Sequence, residues 1–350
     1  MNAEQFTEAV HGGQFFSQQS LANLDLSGAD ASGGLFTEVD FRGVRLDRAD
    51  LTDAVFNDCR FEDASLCEAN LERTTFHRCD LRGATLRQSN MVGTRLLGGQ
   101  GRALDLSGCR MPSAVINELD MTGADLQAAV GTECLFNEVV LRGASLDGAT
   151  FEKTVFYDVD WETASLAAIS LRLCYLQRAR FRDVSFRELD LELTQFSESA
   201  LVACDFTGAR LRQGGFMESD LTRSRFDSAD LSMANLYGAT LIGASLRKAN
   251  LESGVLQKAN VSGADFSGAR LVMAQLVECR GEATILSGAD LTYADLSHAF
   301  MLRADFSHTQ LTQTNLHEAL LEKVIWQGAD RSLALATDPT RQKAEQWNKS

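Results

Sequence analysis

Histidines, cysteines and paired carboxylates are where site chemistry usually starts, and this chain of 350 residues has five histidines, eight cysteines and 48 acidic residues. The histidines are His11, His77, His298, His308 and His317. The pairs closest in sequence, His298/His308 and His308/His317, fall on different sides of the coil deduced below, so neither a metal site nor a catalytic dyad is expected. No phosphate-cradling GxxxxGK[ST], dinucleotide fingerprint, HExxH, GxSxG or paired CxxC occurs. The carboxylates are spread along the chain as turn residues rather than paired. The expectation is therefore a protein with no catalytic residue, no cofactor and no metal, and not an enzyme.

Those residues are positioned by a repeat of five. Stepping by five from Leu21 to Trp326 gives 62 centres, and only Ala31, Gly101, Gly131 and Gly281 are not large and apolar. The phase never slips. Two residues before each centre stands a small residue, mostly Ala. Cys59, Cys79, Cys109, Cys134, Cys174, Cys204 and Cys279 all take this place. A period of five matches neither helix nor plain strand. It needs a turn after every five residues, with the centre and the small residue pointing in and the other three out. Asp, Asn, Ser and Gly outside suit such turns. Units this short bury nothing alone, so coils must stack.

SGADLTYADLSHA, Ser287 to Ala299, shows the pattern at its cleanest. The chain resembles the pentapeptide-repeat family, with its A(D/N)LXX consensus. The resemblance implies an all-β solenoid: a right-handed, four-sided parallel β-helix with four repeats per coil, here about 15 coils over residues 21–330. The sequence supports a 20-residue coil independently. Sixteen phenylalanines occupy centres. Seven share the Phe36 side and five the Phe186 side, as stacked aromatic ladders would. Residues 1–20 are expected to form a cap, with a helix from Ala3 to Val10. Residues 331–350 form a tail with a helix capped by Asp338, with Pro339 at its first position. Trp161 and Trp326 are expected inside.

Charge separates the outward surfaces. Acidic residues exceed basic ones 48 to 33, a net of −15, which argues against direct nucleic-acid binding. Residues 1–200 hold 31 acidic and 18 basic residues. One outward column on the Phe36 side concentrates the acids: Glu38, Asp58, Glu118, Glu138, Asp158, Glu198 and Glu218 among others. Beside it the same side carries apolar residues, including Val115, Leu135, Val155, Tyr157, Tyr175 and Met217. Val115, Glu118, Leu135, Glu138, Val155, Tyr157, Asp158, Tyr175, Glu198, Met217 and Glu218 are thus the expected protein-binding face, for a partner with basic contact residues.

Two functions are expected in competition. The first is a non-catalytic scaffold or adaptor. The resemblance implies a bacterial type, of the kind that accompanies secretion systems such as type VI or their effectors. The second, also implied by the resemblance, is an acidic mimic of DNA that binds a type II topoisomerase such as gyrase, as in fluoroquinolone-resistance members. The start, MNAEQFTEAVHGG, has no basic and apolar leader, and no run of 18 apolar residues occurs. A cytoplasmic protein is expected, without membrane insertion, with export by a signal-less route left open. Pairing of two copies through the C-terminal end is a further expectation. The stretch 97–135, with its glycines and Pro112, is the least regular.

Overall fold

The computed structural model describes residues 1–347. It is a parallel β-solenoid in which paired residues stand 20 positions apart, as Val55 and Thr75 do and Asp205 and Arg225. The described chain divides into two compact units, Met1–Arg180 and the part from Phe181 onward.

Within a coil the five-residue unit follows one bonding scheme. The centre Leu51 donates its N–H to Asn70 O at 2.8 Å, and the turn residue Asp53 donates to Glu72 O at 3.0 Å. Ala54 closes the turn by donating to Leu51 O at 2.9 Å. Asp53, two residues after the centre, has φ +58°. Nearly every residue at that step is left-handed, which explains the Gly, Asp and Asn there. Several buried hydroxyls at the small position find a carbonyl one coil back, as Thr74 Oγ1 donates to Leu51 O at 2.8 Å.

In the first unit, helix α1 (Ala3–His11) is closed by a capping box between Asn2 and Gln5 and buries Phe6 and Val10. Phe6 lies 5.4 Å from the Phe16 ring and 5.9 Å from Phe36, so α1 covers the first coil. One side carries a sheet of nine strands, from Phe16–Ser17 through Leu35–Thr37 to Tyr175–Gln177. Its strands exist because Leu35, Val55, Thr75, Val115, Leu135, Val155 and Tyr175 flank the centres, and these types favour pleated backbone. In the irregular stretch the empty centre Gly101 is filled from the next coil, where Leu119 Cδ2 stands 3.3 Å from the place of a Cβ. A bulky residue at the small position thus replaces the missing centre.

In the second unit the equivalent flanking residues are Gln195, Gly215, Asn235, Val255, Gln275, Asp295 and Asn315, and on this side the coils are joined by single-residue bridges. The expectation of about 15 coils is corrected accordingly: the continuous strand ladder has nine turns, where strand-forming residues mostly flank the centres, while of the seven equivalent residues in the second unit only Val255 is of that type. Centres are buried along both units, with Trp161, Phe156 and Phe206 fully enclosed. Trp326 corrects the expectation. It is half-buried, between the Phe306 ring at 4.8 Å and the Arg331 guanidinium at 4.7 Å. The last coil has no following coil to cover it. Helix α2 (Pro339–Trp347) buries no residue. Residues 348–350 of the expected tail lie outside the described residues.

Candidate functional site

Val115, Leu135, Val155 and Tyr175 stand in register on four successive strands. The centres between them, Ile116, Phe136, Phe156 and Leu176, are fully buried. Residues on either side of a centre must therefore face out. Leu135 is 37% and Tyr175 56% exposed, while Val115 and Val155 are half-buried. Across each centre lie Asn117, Asn137, Tyr157 and Gln177. Asn137 Nδ2 donates to Asn117 Oδ1 at 2.7 Å, and Asn117 Nδ2 donates to Glu118 Oε1 at 3.0 Å. One step further come Glu118, Glu138, Asp158 and Arg178, all left-handed with φ between +51° and +56°. The turn aims their side chains outward.

The acidic column is not uniform. Arg178 Nη1 donates to Tyr157 Oη at 2.9 Å, its guanidinium carbon lies 5.5 Å from the Tyr157 ring centre, and Nη2 stands 3.7 Å from Asp158. Arg180 Nη1 reaches Asp158 Oδ1 at 3.2 Å. Tyr157 and Asp158 are thus engaged within the chain rather than presented to a partner. Asp58 is likewise matched by Arg78 at 2.7 Å. Glu118 and Glu138 are exposed and carry no ion pair among the described residues. What the geometry assembles is a short apolar column, Val115 to Tyr175, beside two open carboxylates.

Glu198, Met217 and Glu218 belong to the second unit. All three are exposed, and both glutamates are left-handed at φ +58°.

A second constellation escaped the sequence reading. His298 and His317 are 19 residues apart, so the turn residue of one coil meets the outward neighbour of the next coil's centre. Their Nε2 atoms lie 3.1 and 3.3 Å from the same oxygen of Glu345, on α2. Arg341 Nε donates to the other oxygen at 2.7 Å. That bond, followed by those of the histidines, holds the Glu345 carboxyl down at about 2. Comparing histidines by coil position rather than by sequence distance would have found the pair.

The family model for pentapeptide repeats matches in eight copies, over residues 20–58, 59–96, 174–213, 216–257, 244–280 and 284–322, more than half of the chain. No curated protein sequence matches significantly. Among solved structures, a trypsin-treated form of QnrB1, a plasmid-mediated fluoroquinolone resistance protein, is 20% identical over 50% of this chain and 87% of its own, with a TM-score of 0.36. HetL, a pentapeptide repeat protein involved in heterocyst differentiation regulation in the cyanobacterium Nostoc sp. strain PCC 7120, is 23% identical over 75% of this chain and 96% of its own, with a TM-score of 0.25. A thylakoid-lumen pentapeptide repeat protein of Arabidopsis thaliana is 28% identical over 36% of this chain and 70% of its own, at 0.21.

Proposed function

The chain belongs to the pentapeptide-repeat family, and we propose that it is a non-catalytic protein-binding scaffold whose first unit docks a partner on the Val115–Tyr175 column. The observation that carries this reading is the exposure of Leu135 and Tyr175, in register, beside the exposed Glu118 and Glu138, which have no ion pair among the described residues. Large apolar and tyrosine side chains supply anchor area. Open carboxylates at the rim favour a partner with basic contact residues and speed its approach. The unbroken five-residue phase leaves no long loop to enclose a substrate, which supports a binding rather than a catalytic role.

The net charge of −15 favours the second reading, a DNA mimic acting on a type II topoisomerase. Mimicry asks for open carboxylates at regular spacing, whereas Asp58 and Asp158 are matched by Arg78, Arg178 and Arg180. We therefore rank the scaffold first, and a gyrase supercoiling assay separates the two. No helix among the described residues is long and apolar enough to cross a membrane. Seven of the eight free cysteines are buried, in keeping with a proposed reducing, cytoplasmic setting. The half-buried Leu321, Val324 and Trp326 at the last coil support pairing with a second copy there.

The test is a photo-cross-linking residue placed at Leu135 and, as control, at the exposed Gln127 on another side of the same unit. In the native host the scaffold reading expects one discrete adduct from position 135 and none from 127. Equal labelling from both positions contradicts it.

A further inference from the structure

We propose that His298, His317 and Glu345 form a binding site for a divalent transition-metal ion of the zinc type, which ties α2 to the coils beneath it. The three ligand atoms lie within 4.8 Å of one another. Zinc takes imidazole nitrogen at ~2.0–2.1 Å and carboxylate oxygen at ~2.0–2.2 Å, so neighbouring ligands of a tetrahedral site stand about 3.3 Å apart. The two histidine–glutamate separations, 3.1 and 3.3 Å, match that edge. Two imidazoles and one carboxylate suit zinc, cobalt or nickel rather than magnesium or calcium, and leave a fourth position for water.

The supporting contacts orient the ligands. His317 is 1% exposed, and its Nδ1 accepts the Asp338 N–H at 3.1 Å. Arg341 occupies one oxygen of Glu345 and leaves the other facing the two rings. Asp338 touches His317 through its N–H, Glu318 holds Gln342 of the same helix, and Arg341 pairs with Glu345, so three acidic residues and one arginine gather at this end. A hollow of about 390 Å³ beside the cluster is lined by Asn315, His317, Leu335, Ala336, Asp338 and Arg341.

The tautomer sets the condition for binding. With Nδ1 accepting, the proton of neutral His317 sits on Nε2 and points at Glu345. A metal ion needs that Nε2 lone pair, so the proton must leave Nε2 and Nδ1 must take one up from water. Nδ1–H then needs an acceptor in place of the Asp338 N–H. A water or a carboxylate there would complete the outer contact common behind metal-bound histidines. Ion capture therefore resets the start of α2, a helix held to the coils by polar contacts and burying no residue of its own.

The experiment titrates metal-stripped full-length protein with zinc chloride by calorimetry and follows hydrogen exchange of residues 339–347. The site predicts one saturable equivalent of zinc, none of magnesium, and slowed exchange in α2 when zinc is bound. Glu345→Gln keeps the shape and a hydrogen-bonding group. It and His317→Ala should each weaken zinc binding at least tenfold, with circular dichroism unchanged, while His308→Ala should bind as the wild type does. The proposal is overturned by absence of saturable binding, by equal affinity in Glu345→Gln, or by zinc that binds without slowing exchange in α2.

Discussion

Phe206 and Phe226 lie ring over ring, centroids 4.8 Å apart and planes 1° from parallel. Phe186 continues the stack on the other side of Phe206 at 4.6 Å and 3°, and Phe216 meets Phe206 edge-on at 5.9 Å. Phe206→Ala opens a cavity that stacked coils cannot close, because each coil is held in register by its neighbours. The expected cost is ~3–5 kcal/mol. The damage should stay with the adjacent coils and broaden the unfolding transition. Chemical denaturation measures both, and a loss under ~1 kcal/mol contradicts this packing.

Asp160 is the most enclosed carboxylate of the first unit, 3% exposed. It accepts from Arg142 Nε at 2.8 Å and from the Glu162 N–H at 3.1 Å. Asp160→Ala strands the turn's N–H and leaves two arginines, Arg142 and Arg180, without their shared partner. A loss of ~1–3 kcal/mol is expected, with Asp160→Asn retaining part of it because the amide oxygen still caps the turn. Thermal unfolding of the two variants gives the order directly.

The period of five made the interior legible. Which residue faces in depends only on phase, and Phe156, Trp161 and Phe206 follow it. Trp326 does not, because phase says what a coil would bury if another coil followed. Strand against bridge was also hidden, since it follows the residues beside the centre only loosely: Val155 lies in a strand and Asn235 at a bridge, but Val255 is also at a bridge and Arg95 in a strand. The docking column was legible as a column, but its electrostatics were not. Arg178 stands in that same column, yet only its reach back to Tyr157 and Asp158 shows that it closes those two groups off. His298 and His317 were missed because their meeting joins two different columns across one coil, and because Glu345 arrives from a helix outside the repeat.

Burial pushes the thiols of Cys109, Cys174, Cys204 and Cys279 up to about 12. Only a thiolate reacts, and these groups are neutral and enclosed at neutral pH. Cys67 is the one cysteine of the eight that is not buried. An aromatic disulfide reagent should therefore titrate about one thiol in the native protein and all eight after denaturation. Rapid reaction of several thiols in the folded state contradicts the burial.

Acid should weaken the coils from the outside. The bond from Arg42 holds the Asp40 carboxyl below its ordinary 3.8, and the bond from Arg73 does the same for Asp53. With the folded value below the unfolded one, the stabilisation is complete above about pH 4. It is lost as pH falls through the lowered folded values. Urea midpoints should be flat from pH 7 down to about 5 and drop below 4. Asp40→Asn together with Asp53→Asn should make that drop shallower. The Arg73–Asp53 pair is exposed and the Arg42–Asp40 pair partly so, and the slope will also shrink in high salt.

The docking account is tested most directly by the affinity of the cross-linked partner, measured by calorimetry, for three folded variants of the full chain. Leu135→Ser with Tyr175→Ser removes the apolar anchors, and Glu118→Lys with Glu138→Lys reverses the open carboxylates. Gln127→Lys alters another side of the same unit. The account predicts at least a tenfold loss for the anchor variant, a loss for the charge variant that comes mainly from slower association and shrinks with salt, and no change for Gln127→Lys. Unchanged affinity in the anchor variant, or a loss confined to Gln127→Lys, would show that the Val115–Tyr175 column is ordinary coil surface and that the partner binds elsewhere.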